Sequence, residues 1–202
     1  MSPDRYRTLS GDSEGLYREK ASKFIAAAFP ITDEEHFKQR CAAIAREHHA
    51  SRHVCYAWVL GDAGERHRAN DAGEPAGTAG KPILRPLQAM GLTYAAIVVV
   101  RYFGGTLLGK AGLVHAYGEA ARQALAHAAI VERVALDELE ITCTYAHMEA
   151  IKRDVSVNGG EVHAADFTDR CVLRVGVPQS TAEALIAQWD LSGAQVRRVQ
   201  AK

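Results

Sequence analysis

The spacing of apolar positions divides the chain into two parts with different patterns. In the first, Phe24, Ile25 and Phe29 stand among alanines and predict a strand within residues 15–29 that ends near Pro30. Thr32, Asp33, Glu34 and Glu35 then have the form of a helix start. Thr32 offers the capping acceptor, and the acids lie near the positive end of the helix dipole. Phe37, Cys41 and Ile44 recur at helical spacing through residues 32–49. Residues 54–60 are rich in β-formers, and the turn from Gly61 to Gly64 leads back into a second short strand. Residues 70–80 are small and turn-forming and predict a loop. Residues 82–90 predict a short helix stopped by Gly91. Residues 94–102 are apolar enough for a buried central strand. A glycine loop at residues 104–109 leads into an Ala-rich helix over residues 113–129.

The pattern changes after Arg133. Strands are predicted at residues 138–144, 161–167, 171–177 and 195–200, and helices at residues 146–156 and 180–189. Turns fall at Asn158-Gly159-Gly160 and at Thr168-Asp169. Cys171, Leu173, Val175 and Val177 alternate with Val172, Arg174 and Gly176, as in a half-buried strand. A βαββαβ order in so short a stretch points to a ferredoxin-like sandwich, because each crossover places its helix on one face of the sheet. The expected division is residues 1–133 and residues 134–202, within an α/β (α+β) class.

Composition narrows the function. The 202 residues carry 24 Lys+Arg and 24 Asp+Glu, which excludes a protein basic over its whole length. A hydrophobic content of 48% excludes a disordered acidic chain. Cys41, Cys55, Cys143 and Cys171 form no CxxC pair, so zinc and thioredoxin-like signatures are absent, and reduced thiols are expected. The N-terminal stretch lacks an apolar signal core, and the longest apolar run, near residues 95–100, is too short to cross a bilayer. A cytoplasmic protein without a membrane partner is expected.

Residues 75–118 depart from the neutral average. They contain no Asp or Glu, yet hold Lys81, Arg85, Arg101, Lys110 and His115 and eight of the 17 glycines. Gly104, Gly105, Gly109 and Lys110 approach the phosphate-loop template GxxxxGK[ST], but Ala111 replaces the hydroxyl that would hold magnesium. What remains is a helix start with glycines and a cation, which favours an anion. A tight strand-to-helix turn explains the glycines equally well. In the preceding loop, Thr78, Gly80 and Lys81 could hold phosphate. Asp71, Gly73 and Glu74 orient that loop, either toward a ligand or as a brace in which Glu74 pairs with Arg101 or Lys81.

The segment NDAGEPAGTAGKPIL, followed by VVVRYFGGTLLGKAGLVHAYGEAA, closely resembles the signature of the YigZ/IMPACT family. Residues 51–57 resemble that family's His-x-Cys-Tyr-Ala strand, and residues 21–25 resemble its first strand. The resemblance runs from about Tyr17 to Leu125, and the βαββαβ tail resembles the C-terminal domain of bacterial members. It implies a two-layer N-terminal domain like domain IV of elongation factor G, with a ferredoxin-like domain after it. It also implies a role in translation, with RNA or the ribosome as partner. The eukaryotic relatives regulate translation by competing for an activator of a starvation-responsive initiation-factor kinase and add a different N-terminal domain, not expected here, so the resemblance does not carry kinase-pathway regulation to this chain. Ala72 and Ala76 replace the family's usual Asp and Ser, Lys110 and Ala111 replace small residues and Gly, and His115 replaces Arg.

His53 and Cys55 would share a strand face, but two ligands are too few for structural zinc and no third residue completes a catalytic set. Trp189 is expected in the core, and the aromatic strand motif of RNA-reading sheets is missing around Phe167. Neither a catalytic constellation nor a metal or cofactor is expected. The leading expectation is a non-enzymatic regulator of translation that binds RNA or the ribosome. The proposed surface comprises Thr78, Gly80, Lys81, Arg85, Arg101, Tyr102, Gly104, Gly105, Gly109 and Lys110. The alternatives are an enzyme acting on a phosphorylated or nucleotide substrate at the helix start of residues 104–110, and a protein–protein adaptor using the ferredoxin-like domain.

Overall fold

A computed structural model describes residues 4–167 and 170–199. These fall into two compact units, Tyr6–Arg133 and a second one that runs from Val134 and includes Asp4 and Arg5. The first unit opens with β1 (Arg5–Leu9), which pairs with the late strand β7 (Ile130–Val134). Neither strand shows in the apolar pattern. Only Thr8 and Leu9 of β1 are buried, and no residue of β7 is.

The expected strand within residues 15–29 is two strands, β2 (Ser13–Glu19) and β3 (Ser22–Pro30), paired as an antiparallel hairpin. The chain reverses at Lys20 and Ala21, both in the left-handed region. No glycine marks that turn, which is why the pattern runs through it. Helix α1 (Glu34–Glu47) follows, and its cap is Asp33 rather than Thr32. The Asp33 carboxylate accepts from the His36 amide at 2.8 Å, while the Thr32 hydroxyl donates to Asp33. A carboxylate is the stronger acceptor beside the dipole, so the acid takes the capping position.

Strands β4 (His53–Leu60) and β5 (Arg66–Asn70), helix α2 (Gly80–Ala89), strand β6 (Ala95–Tyr102) and helix α3 (Gly109–Ala126) complete the unit before β7. The sheet order is β2-β3-β6-β4-β5, antiparallel throughout. β6 is central and its first seven residues are buried, as its apolar run predicts. Phe24, Cys55, Ile97 and Val99 face α2 and α3. Phe29, Trp58, Val98 and Val100 face the other way and join Phe37 of α1. The sheet therefore carries α2 and α3 on one face and α1 on the other.

The second unit contains β8 (Leu136–Cys143), α4 (Tyr145–Val157), β9 (Glu161–Phe167), β10 (Cys171–Pro178), α5 (Gln179–Leu191) and β11 (Gln195–Arg198). The sheet order β11-β8-β10-β9 is that of a ferredoxin-like sandwich. The turn expected at Thr168-Asp169 and the strand end at Gln200 lie outside the described residues. Leu139, Ile141, Leu173 and Val175 face the helices, and Trp189 is 1% exposed with its indole N–H on Asp154 at 3.0 Å. Helix α5 has no capping side chain of its own. The Asp4 carboxylate accepts from the Ser180 amide at 2.8 Å and serves instead, which accounts for its grouping with this unit. Among the described residues no helix is long and apolar enough to cross a membrane.

Candidate functional site

The site is built at one end of the central sheet, on the face that carries α2 and α3. Arg101 in β6 lies in register with Phe24 of β3 and His53 of β4. Side chains along a strand alternate, so Arg101 shares the face of Val99 while Tyr102 points to the opposite one. There the Tyr102 hydroxyl meets His48 Nδ1 at 3.0 Å. The two neighbours expected to share one anion-binding surface therefore lie on different sides of the sheet.

The loop between β5 and α2 is fixed by its own carboxylate. Asp71 accepts from the amides of Gly77 at 2.8 Å, Ala79 at 2.9 Å and Gly80 at 2.8 Å, and so caps α2 from outside the helix. Burial alone would raise this carboxyl's pKa. The three amides, with the nearby Lys81 charge, outweigh burial and hold it below the usual range. Thr78 is buried and its hydroxyl donates to the Pro75 carbonyl at 2.7 Å. Gly80 is pressed against the backbone of Asn70. Asp71, Thr78 and Gly80 thus hold the loop, and of this group only Lys81 and Gly73 are exposed.

That loop delivers Glu74 into the protein. Glu74 is 8% exposed and Arg101 5%. Glu74 Oε1 accepts from Arg101 Nη1 at 2.7 Å and from the Tyr117 hydroxyl at 2.8 Å. His53 Nε2 lies 3.8 Å from the same oxygen, and His53 Nδ1 lies 2.9 Å from the Ala72 carbonyl. A carbonyl only accepts, so that bond places a proton on Nδ1. The Cys55 thiol donates to the Asp71 carbonyl at 3.0 Å and lies 3.4 Å from the Tyr117 hydroxyl. Burial pushes the Cys55 thiol up to about 12, and burial also raises the Tyr117 hydroxyl. At neutral pH this cysteine is a protonated packing residue and a poor nucleophile.

Above this network is a cleft of about 430 Å³. Its walls include Phe103, Leu107, Leu108 and Leu113, and its charged lining is Arg52, Lys110, Arg101 and Glu74. Phe103 is 40% exposed and Leu107 83%. Arg52 and Lys110 are exposed, and among the described residues neither forms an ion pair. Gly109 opens α3 at the cleft edge, and no side chain caps the helix. Gly104 has a packing role. A Cβ there would sit 2.1 Å from the backbone of Ala21, and the Gly104 amide donates to Ser22 Oγ at 3.1 Å. Gly105 has open space but a φ of +84°. Arg85 lies elsewhere, in a groove between α2 and α3 with Met90 and Arg122.

The structure therefore gathers Glu74, Arg101, Gly109 and Lys110 at one cleft, with the Asp71 loop bracing it. It adds Arg52, Phe103 and Tyr117, which sequence reasoning did not select. Tyr117 carried a signal: it is a lone aromatic four residues after Leu113 on an Ala/Gly-rich helix, on the face that meets the sheet. Among the described residues no group of three or more His, Cys, Asp or Glu side chains is placed to hold a metal ion.

Fold and site together define a two-domain α+β protein: an open five-stranded sheet with a buried Glu–Arg–Tyr network beneath a cleft, followed by a ferredoxin-like sandwich. Residues 20–125 match the Impact N-terminal domain, and residues 141–188 match a domain of unknown function, DUF1949. The chain is 37% identical to IMPACT family member YigZ of Escherichia coli over 79% of each chain. It is 34% identical to an IMPACT family member of Haemophilus influenzae, over 84% of this chain and 83% of that one. A crystal structure described as a hypothetical protein superposes with a TM-score of 0.71 at 31% identity, over 98% of this chain and 99% of the other. The chain belongs to the IMPACT family.

Proposed function

We propose that this protein is a non-enzymatic regulator of translation that binds RNA, free or within the ribosome, at the cleft between the Asp71 loop and the start of α3. One observation carries the reading: among the described residues, the one carboxylate lining the cleft is already neutralised. Glu74 is spent on Arg101, so Arg52 and Lys110 are left as uncompensated cations beside an exposed aromatic ring. Cations that track a phosphate backbone beside a ring on which a base stacks are the components of single-strand binding surfaces. The test is binding of single-stranded RNA and of purified ribosomes across a salt series. Affinity falls as salt rises, and each of Arg52→Glu and Lys110→Glu weakens it. Removing one phosphate contact lowers the log–log salt slope by about 0.7. Absence of RNA and ribosome association at low ionic strength refutes the reading.

A further inference from the structure

We infer that the cleft is a built nucleotide site that seats one nucleoside monophosphate unit, with its phosphate at the start of α3 and its base against Phe103. This rests on the RNA-binding reading and makes it specific. Three independent features converge on the same space. The first is the N-terminus of α3, an 18-residue helix with no capping side chain, whose Gly109 and Lys110 line the cleft. Such a terminus offers unpaired amides and the positive end of the dipole to an anion.

The second feature points to a missing acceptor. The Arg101 side chain is 6% exposed and forms part of the cleft lining. Its Nη1 serves Glu74, but its buried Nε has no hydrogen-bond partner. Buried donors without acceptors are rare, because water has been removed and nothing replaces it. The guanidinium carbon lies 5.5 Å from the centroid of the Phe103 ring. It also lies 5.6 Å from the centroid of the buried Phe24 ring, and Arg101 itself lines the cleft. A phosphate oxygen there supplies the absent acceptor, with Arg52 and Lys110 beside it.

The third feature selects the body of the ligand. The apolar walls of the cleft are Phe103, Leu107, Leu108 and Leu113, with Pro75 beside them. A bare inorganic anion leaves these walls uncovered. A flat ring joined to one phosphate covers them and also meets the cations, and it can come from a free mononucleotide or from a nucleotide of an RNA strand. With its single acid committed to Arg101 and Tyr117, the cleft accepts such a ligand without a facing negative charge.

The test is calorimetric titration of the whole protein with the four nucleoside 5′-monophosphates, the corresponding nucleosides, inorganic phosphate and a short single-stranded oligoribonucleotide. At least one monophosphate is expected to bind at least 10-fold more tightly than its nucleoside and than inorganic phosphate. Lys110→Ala and Phe103→Ala, both at exposed positions, are each expected to weaken it about 10-fold while circular dichroism and melting remain near wild type. No monophosphate binding up to millimolar concentration overturns the inference, as does a nucleoside that binds equally well. The two readings fail separately. Oligoribonucleotide binding with silent monophosphates leaves RNA binding standing and removes the nucleotide site. Monophosphate binding with a silent oligoribonucleotide keeps the site, assigns it to free nucleotide and removes the RNA reading.

Discussion

Glu74 and Arg101 form a buried ion pair at 2.7 Å between the loop before α2 and the end of the central strand. The acid lies one position before the acid-free stretch of residues 75–118, and its cation lies inside that stretch. The apparent local surplus of charge is therefore smaller in space than along the chain.

Breaking this pair from one side leaves a buried charge without its partner. Glu74→Gln or Arg101→Met is each expected to destabilise the protein by about 3–5 kcal/mol. Glu74→Gln also weakens the acceptor that Tyr117 uses. The double variant Glu74→Gln with Arg101→Met buries no orphan charge and is expected to lose less than the sum of the single losses. Urea denaturation of the four proteins forms the cycle, and strict additivity would show that the two side chains do not act as a pair.

Asp71 supports the fold through a different interaction. Its carboxylate collects three amides at the entry to α2. Asp71→Ala is expected to cost about 2 kcal/mol, from the lost cap and charged hydrogen bonds. The pKa direction fixes the sign with pH. The folded value lies below the ordinary aspartate value of 3.8, so the stabilisation is present above that value and is lost as pH falls through the folded value. Acid unfolding curves should show this directly, with stability less dependent on pH below 4 in Asp71→Asn than in wild type.

Much of the architecture was legible because burial writes a pattern into sequence. Residues 95–100 are apolar throughout because β6 is covered on both faces, and the alternation from Cys171 to Val177 marks a strand buried on one face. β1 and β7 left no such trace, since they meet each other with few buried side chains. The hairpin at Lys20 and Ala21 lacked the glycine that would have announced it. The site was legible only as a region. Strand alternation separates Arg101 from Tyr102, but which partners Arg101 meets on its face follows only from the register with Phe24 and His53. Nor does spacing show that Asp71 spends its charge on amides while Glu74 spends its charge on Arg101.

The cysteines give a prediction that needs no ligand. Cys55, Cys143 and Cys171 are buried and Cys41 is half-buried. Burial pushes Cys55 up to about 12 and Cys143 up to about 11, so neither supplies thiolate near neutral pH. Iodoacetamide at pH 8, followed by mass spectrometry, should modify Cys41 first and the other three only with global unfolding. The raised Cys55 value also sets a sign. Its contribution is complete below the ordinary thiol value of 9.0 and declines as pH rises toward the folded value. Cys55→Ala should therefore show a shallower loss of stability above pH 9 than wild type. Early alkylation of Cys55 in the native protein would contradict its placement against Tyr117.

The adjacent glycines Gly104 and Gly105 separate packing from backbone conformation. At Gly104 a methyl group would meet the Ala21 carbonyl carbon at 2.1 Å and the Ser22 nitrogen at 2.3 Å, both in the β2–β3 turn. Backbone atoms cannot step aside as a flexible side chain does, so Gly104→Ala is expected to cost about 3 kcal/mol and to disturb the Gly104 amide bond to Ser22. At Gly105 nothing lies within 4 Å, and the cost comes from φ of +84°, about 1 kcal/mol. Denaturation midpoints rank the two, and Gly105→Ala as the worse variant would mean that conformation rather than close approach governs this turn. The ranking also bears on the cleft. Gly104 anchors Phe103 to the β2–β3 turn, so Gly104→Ala is expected to weaken ligand binding as well as stability. Gly105→Ala, in open space, should leave affinity within about 2-fold of wild type once the folded fraction is taken into account.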